Sequence, residues 1–246
     1  MDRMLYVAMS GAKETLIAQG NASNNLANAA TPGFLADLNQ FRSMPVFGQG
    51  YPTRVYALDE RPQADFARGS IQNTGRDLDV AVKGGGWIAV QALDGSEAYT
   101  RRGDLWVDEN GLLKTGNGLP VLGNGGPIAI PPAEKIEIGV DGTISVRPLG
   151  QAANALAIVD RIKLVNPAVD ELRKGDDGLL RLAGGGEADF DATQRLAPGA
   201  LEASNVNIVN EMVDMIEYAR RFEMQVKMMR TAEQNAEAGA SLLRPV

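Results

Sequence analysis

The stretch IVNEMVDMIEYARRFEMQVKMMRTAEQNAEAGA, residues 208–240, decides the fold. Ile208, Met212, Met215, Ala219, Phe222, Val226, Met229, Ala236 and Ala240 recur in steps of four and three, and only Glu233 breaks the apolar series. A 3.5-residue period held this long is that of a helix with an apolar packing seam. Ser204, Asn205 and Asn207 offer N-caps, while Glu217 with Arg221 and Glu223 with Lys227 have the spacing and order that support an exposed helical face. The pattern predicts a helix over Val206–Leu243, roughly 55 Å long. Near Val209, Val213 and Ile216 the stripe is wider than a two-helix seam needs, so further helices are expected there. Met212, Met215, Met224, Met228 and Met229 suit an adaptable packing surface.

The opposite end of the chain carries a matching signal. Leu5, Met9, Ala12, Leu16, Ser23 and Leu26, with Gln19 filling the gap, keep the same steps of four and three. A helix over residues 1–30 is expected, closed by Thr31-Pro32-Gly33, because the residue before proline disfavours helix and Pro-Gly suits a type II turn. Pairing the two seams is the simplest way to cover both. The expected organisation is a coiled-coil domain built from residues 1–30 and 201–246, an extended connector over 31–67, and a hairpin-rich all-β domain over 68–200. In that middle region short β-branched runs such as Leu78–Val82, Trp87–Gln91, Leu105–Val107, Ile136–Ile138, Ile144–Val146 and Ile162–Val165 alternate with turns at Asp94-Gly95, Asn110-Gly111 and Asp141-Gly142.

Composition narrows the chemistry. The 246 residues contain no cysteine and no histidine, which removes thiol nucleophiles, disulfides, the usual zinc ligands and the side chain most used for proton transfer near neutrality. No catalytic residue, metal or cofactor is expected. A formal charge of -7 offers no basic surface for nucleic acid, and no run of 18 apolar residues predicts insertion into a membrane. Residues 1–20 lack a basic run followed by a continuous apolar stretch, so no cleaved signal peptide is expected.

Four short motifs invite a chemical reading. Gly84-Gly85-Gly86 resembles a phosphate-binding loop, but Trp87–Gln91 reads as a strand where that motif needs a helix. Asp108-Glu109-Asn110-Gly111 and Asp176-Asp177-Gly178 lack the alternating oxygen ligands of a calcium loop and read as turns. Arg102-Gly103-Asp104 is a tripeptide short enough to arise by chance.

Ala22-Ser23-Asn24-Asn25-Leu26-Ala27-Asn28 with Thr31-Pro32-Gly33-Phe34 closely resembles the N-terminal signature of flagellar rod and hook proteins. Asp77–Val82 leading to Gly84, Gly86 and Trp87, then Ala98-Tyr99-Thr100-Arg101, Gly103 and Asp108–Leu112, resemble the shared β segment of that family. Leu201-Glu202-Ala203-Ser204-Asn205-Val206-Asn207 running into Glu211–Ile216 resembles its C-terminal signature. Met1-Asp2-Arg3 and Arg220–Gln225 look most like a proximal-rod member, with a distal-rod or hook subunit as the alternative. Pro32 and Ala29-Ala30 depart from the usual pattern. The resemblance implies a structural subunit that polymerises with itself and other rod proteins across the periplasm, transmits torque, and is exported by the flagellar type III apparatus.

On that reading the assembly interface comprises Leu5, Met9, Ala12, Leu16, Leu26, Ile208, Met212, Met215, Phe222, Val226 and Met229. The signature residues are Asn24, Asn25, Leu26, Ala27, Asn28, Gly33, Phe34, Ser204, Asn205 and Val206. The terminal helices are expected to order on incorporation, since neither seam is fully buried alone. A charge at Met215 or Phe222 is expected to block assembly and spare the β domain.

Overall fold

The computed structural model describes residues 4–45, 55–59, 63–150 and 156–242. The chain divides into two compact units, one from residues 1–29, 37–65 and 206–246 and the other from residues 30–36 and 66–205.

The first unit is helical with a β arm. Helix α1 spans Met4–Ala27 and helix α2 spans Ile208–Leu242, a length of about 52 Å at 1.5 Å per residue. Asn207 caps α2: its Oδ1 accepts from the backbone N–H groups of Val209 at 3.1 Å and Asn210 at 3.3 Å. The segment expected to be an extended connector with local strand content folds back within this unit. Strand β1 (Asp37–Leu38) pairs antiparallel with β4 (Gln63–Ala64), and β2 (Phe41–Pro45) forms a hairpin with β3 (Val55–Asp59). The sequence shows strand content here but hides the pairing, because the strands are short and three prolines interrupt the surrounding stretch.

The second unit is all-β. Its strands are β5 (Ile71–Asn73), β6 (Val80–Lys83), β7 (Trp87–Gln91), β8 (Glu97–Thr100), β9 (Leu105–Val107), β10 (Leu113–Thr115), β11 (Leu122–Gly123) and β12 (Gly126–Pro127). There follow β13 (Ala133–Ile138), β14 (Thr143–Pro148), β15 (Ala157–Arg161), β16 (Leu164–Val165), β17 (Leu172–Lys174), β18 (Leu180–Leu182), β19 (Arg195–Pro198) and β20 (Ala200–Glu202). The largest sheet runs β16-β7-β8-β18-β17, and a second runs β13-β14-β15. Val80, Ile88, Val90, Leu105, Leu113, Ile128, Ile144 and Leu164 belong to one buried core beneath them. This unit therefore has a hydrophobic core of its own.

The sequence motifs fall into place as turns. Gly95, Gly111 and Gly142 take φ of 83°, 81° and 87°, a left-handed conformation that favours glycine. Asp94, Asp108 and Asp141 close the same turns by accepting backbone N–H bonds from Ser96, Asn110 and Thr143. Gly84-Gly85-Gly86 leads into β7, and the Gly84 carbonyl accepts from Arg101 Nη2 at 3.0 Å. Within Arg102-Gly103-Asp104 the two charged side chains bind each other, with Arg102 Nε 2.7 Å from Asp104 Oδ1. Asp177 is occupied by Arg181 at 2.7 Å.

Candidate functional site: a helix pair with one open face

Helices α1 and α2 run antiparallel. Gly11 lies against Gln225, where an added Cβ would sit 2.9 Å from Nε2, and Asn25 Nδ2 donates to Glu211 Oε1 at 3.0 Å. The buried residues of α1 are Ala8, Ala12, Thr15, Ala18, Ala22 and Asn25, with Glu14 beside them. These recur in steps of three and four, so the seam has the period of a helix-packing stripe. It is a stripe of small side chains, which lets α2 approach closely. On α2 the less exposed positions are Glu211, Asp214, Met215, Tyr218, Ala219, Phe222, Gln225, Val226, Met229 and the buried Ala232.

This placement corrects the sequence reading of α1. The expected seam through Leu5, Met9 and Leu16 lies one position around the helix from the observed one, and those three side chains are exposed. Ala12 alone of that series is buried, and Leu26 is half-buried. Large residues dominate a hydropathy pattern, whereas close helix contact selects small ones. On α2, Met215, Phe222, Val226 and Met229 are half-buried, while Ile208 and Met212 are exposed. A charge at Met215 or Phe222 would therefore disturb the helix pair itself before it disturbed assembly. Ala236 and Ala240 are exposed, because α2 beyond Ala232 meets no described residue of α1.

The signature residues build the closed side. Asn25 spends its whole amide on three contacts: Nδ2 donates to the Asp37 carbonyl at 3.0 Å and to Glu211, and Oδ1 accepts from the Asp37 N–H at 2.8 Å. It thereby ties α1, the β arm and α2 together. Asn24 Oδ1 and its carbonyl both accept from Asn28 Nδ2, closing the end of α1. Leu26 is half-buried and Ala27 exposed on that last turn. Asn39, next to β1, bonds Asn21 at 2.6 Å and also hydrogen-bonds Tyr218, whose hydroxyl pKa is pushed up by burial and held back by that bond. Gly33, Phe34, Ser204 and Asn205 belong to the β unit, and Val206, half-buried, begins the run into α2.

At about 100° per residue, Leu5, Met9 and Leu16 lie on the flank of α1 opposite Asn21, and Met212 and Ile216 lie on the corresponding flank of α2. In an antiparallel pair, equal rotations from the seam lead to the same side. Leu5, Met9, Leu16, Ile208, Met212 and Ile216 therefore share one open face, each 43–56% exposed, while the arm covers the other.

Charge adds a pH dependence. Burial raises the Glu211 carboxyl above its ordinary value, the Asn25 bond opposes this, and Asp214 and Asp37 add repulsion. Its contribution to the helix pair is full below the pKa of a free glutamate and is lost as pH rises through the raised value. In the β unit the opposite holds. Asp94, Asp108, Asp141, Asp177 and Asp191 are held down, chiefly by side-chain hydrogen bonds from Ser96, Lys114, Thr143, Arg181 and Thr193. Their contribution is present above the ordinary carboxylate value and lost as pH falls through the lowered ones. Trp87 and Trp106, the two tryptophans of the chain, both lie in the β unit. On acidification below the ordinary aspartate range, the urea midpoint read by tryptophan fluorescence is expected to fall before that read by the helical circular dichroism signal. Glu211→Gln should raise the helical midpoint at neutral pH and lose that advantage in acid; equal midpoints at both pH values would overturn the assignment.

The geometry is that of an assembling structural subunit. Three family profiles match the chain: "Flagella basal body rod protein" over residues 5–34, "Flagellar hook protein FlgE/F/G D1 domain" over 81–146, and "Flagellar basal body rod FlgEFG protein C-terminal" over 197–242. The chain is 47% identical to the flagellar basal-body rod protein FlgF of Escherichia coli (strain K12), with 99% of each chain covered. It is 44% identical to FlgF of Salmonella typhimurium, again over 99% of each. The basal-body rod protein FlgG of Buchnera aphidicola subsp. Schizaphis graminum is more distant, at 30% over 94% of this chain and 95% of that one. The chain belongs to the flagellar basal-body rod protein family, and it is a structural protein, not an enzyme.

The sequence reading missed Ala8, Ala18, Ala22 and Gln225, which carry the pairing. The heptad spacing of the small residues was the available signal.

Proposed function

We propose that the chain is a proximal-rod subunit whose terminal helices act as a short antiparallel coiled coil and pack through their open face against other copies and neighbouring rod proteins. The observation that carries this reading is the apolar face of Leu5, Met9, Leu16, Ile208, Met212 and Ile216, left exposed beside a seam that is already filled. Ala12, Leu26, Met215, Phe222, Val226 and Met229 hold the pair together, so the eleven interface residues divide into an internal and an external set. The FlgF relatives, matched over nearly the whole chain, support the proximal position. In the rod the helices would line the axis and the β units the outer wall, passing torque from motor to hook. The subunit would reach the periplasm through the flagellar type III export apparatus. Among the described residues no helix is long and apolar enough to cross a membrane.

Mass spectrometry of purified hook–basal bodies during stepwise dissociation tests the reading. The chain should leave with the innermost rod fraction. Release with the outer fraction would make it a distal subunit, and absence from basal bodies would overturn the assembly role.

A further inference from the structure

The chain passes between its two units at four points, and in the β unit these passages start from three segments: 30–36, the stretch from Phe66, and the stretch ending at Asn205. Those segments are bound to each other. Gly33 N–H donates to the Glu202 carbonyl at 2.8 Å, Ala203 N–H to the Ser70 carbonyl at 2.8 Å, and Asn205 N–H to the Phe34 carbonyl at 3.3 Å. The Asn205 side chain joins all three, accepting from the Ala36 N–H at 2.7 Å and donating to the Ala67 carbonyl at 2.9 Å. Glu202 accepts from the Gly69 N–H at 3.2 Å and from Arg101 Nη1 at 3.1 and 3.0 Å. Arg101 is buried with Glu202, spans to the Gly84 carbonyl, and stacks 4.5 Å from the Trp87 ring centroid. The backbones touch: a Cβ at Gly33 would fall 2.3 Å from Arg101 C, and one at Gly69 would fall 1.8 Å from the Ala203 carbonyl oxygen.

The direction of these bonds gives them a mechanical meaning. Residues 33 to 36 and 202 to 205 run the same way along each other, since Gly33 meets Glu202 and Ala36 meets Asn205. Tension entering at residue 30 and leaving at residue 205 therefore pulls along the pair, and its bonds share the load instead of opening one at a time. We propose that Arg101, Glu202 and Asn205 form a buckle that receives tension from the terminal segments and spreads it into the β unit, making them positioning residues for the rod's mechanical role. This rests on the rod reading above. It also gives one physical task to three signature stretches that lie far apart in sequence.

The chain has no cysteine, so Ala29→Cys and Asn210→Cys provide unique handles for pulling the full-length protein in optical tweezers. Asn205→Ala and Arg101→Met are each expected to lower the first rupture force about two-fold, because Asn205 supplies the side-chain bonds that join the three segments and Arg101 supplies the buried, charge-assisted pair with Glu202. Arg101→Met leaves a buried carboxylate short of its partner and risks general unfolding, so Asn205→Ala is the deciding variant, provided its tryptophan-monitored urea midpoint stays near the parent's. A rupture force equal to the parent's would overturn the buckle. In cells, Asn205→Ala should enter basal bodies in parental amounts yet lose motility disproportionately in viscous medium. Normal motility there would also refute the buckle while leaving the rod reading intact. Absence of the parent chain from basal bodies would refute the rod reading, and the pulling experiment would still decide the buckle.

Discussion

Replacing Ala18 with leucine is expected to part α1 from α2 while leaving the β unit folded. Ala18 is fully buried and sits midway between Gly11, which faces Gln225, and Asn25, which bonds Glu211. Its level on α2 is that of Tyr218, a half-buried ring already anchored to Asn39. Ala18 has no exposed surface, so the added carbons have no open space to enter. Overpacking of this kind costs about 1–3 kcal/mol. The pair has little in reserve, because a seam of alanines buries little area per residue and helices in proteins draw most of their stability from packing. Amide exchange across α1 should accelerate about ten-fold or more, the equivalent of about 1.4 kcal/mol. Leu16→Ala is the control, since Leu16 is 51% exposed and lies outside the buried stripe of α1. Protection in Ala18→Leu equal to the parent's would show that the seam is not where the helices are held.

The contrast between Ala18 and Leu16 shows what the sequence carries. The existence and length of both helices follow from periodicity, since either stripe repeats with the same period. The angular position of the contact does not, because it depends on what the helix meets. Leu5, Met9 and Leu16 announce themselves by hydropathy, and Ala8, Ala18 and Ala22 do the contacting. On α2 the two criteria largely coincide, and Met215, Phe222, Val226 and Met229 fall on the facing side.

The β unit was legible for a different reason. Its turns are local, and an Asp-Gly or Asn-Gly pair dictates a reversal whatever lies beyond it, which places β7, β9, β13 and β14 close to the expected runs. Pairings between distant segments leave no such mark. Arg101 and Glu202 are 101 residues apart, and neither stretch shows in its own composition that they meet. The β arm falls between these cases. Its strands are short, and its place against α1 is fixed by Asn25 and Asn21, whose roles depend on Asp37 and Asn39. The asparagine-rich signature at the end of α1 is thus legible as a motif, and only the structure says what each amide holds.

Glutamate at both Leu16 and Met212 should remove the chain from the rod without disturbing the isolated protein. Both side chains are half-exposed on the open face, so the monomer loses little, and its urea midpoint should stay near the parent's. Assembly is another matter if this face meets neighbouring helices. Completing the burial of a side chain that is already half-covered contributes about half of the ~1.5–3 kcal/mol of full burial, and the variant forfeits two such contributions. Burying an unpaired carboxylate costs more again. Since about 1.4 kcal/mol is a factor of ten in affinity, the two effects together should weaken each contact about a hundred-fold or more. Basal bodies from cells expressing it should contain almost none of the variant, and the cells should not swim. Phe222→Glu makes the separating comparison, because Phe222 lies half-buried toward α1 and its charge should lower the helical midpoint of the isolated chain as well. If the Leu16 and Met212 double variant were incorporated at parental levels, the open face would not be the surface on which the rod is built.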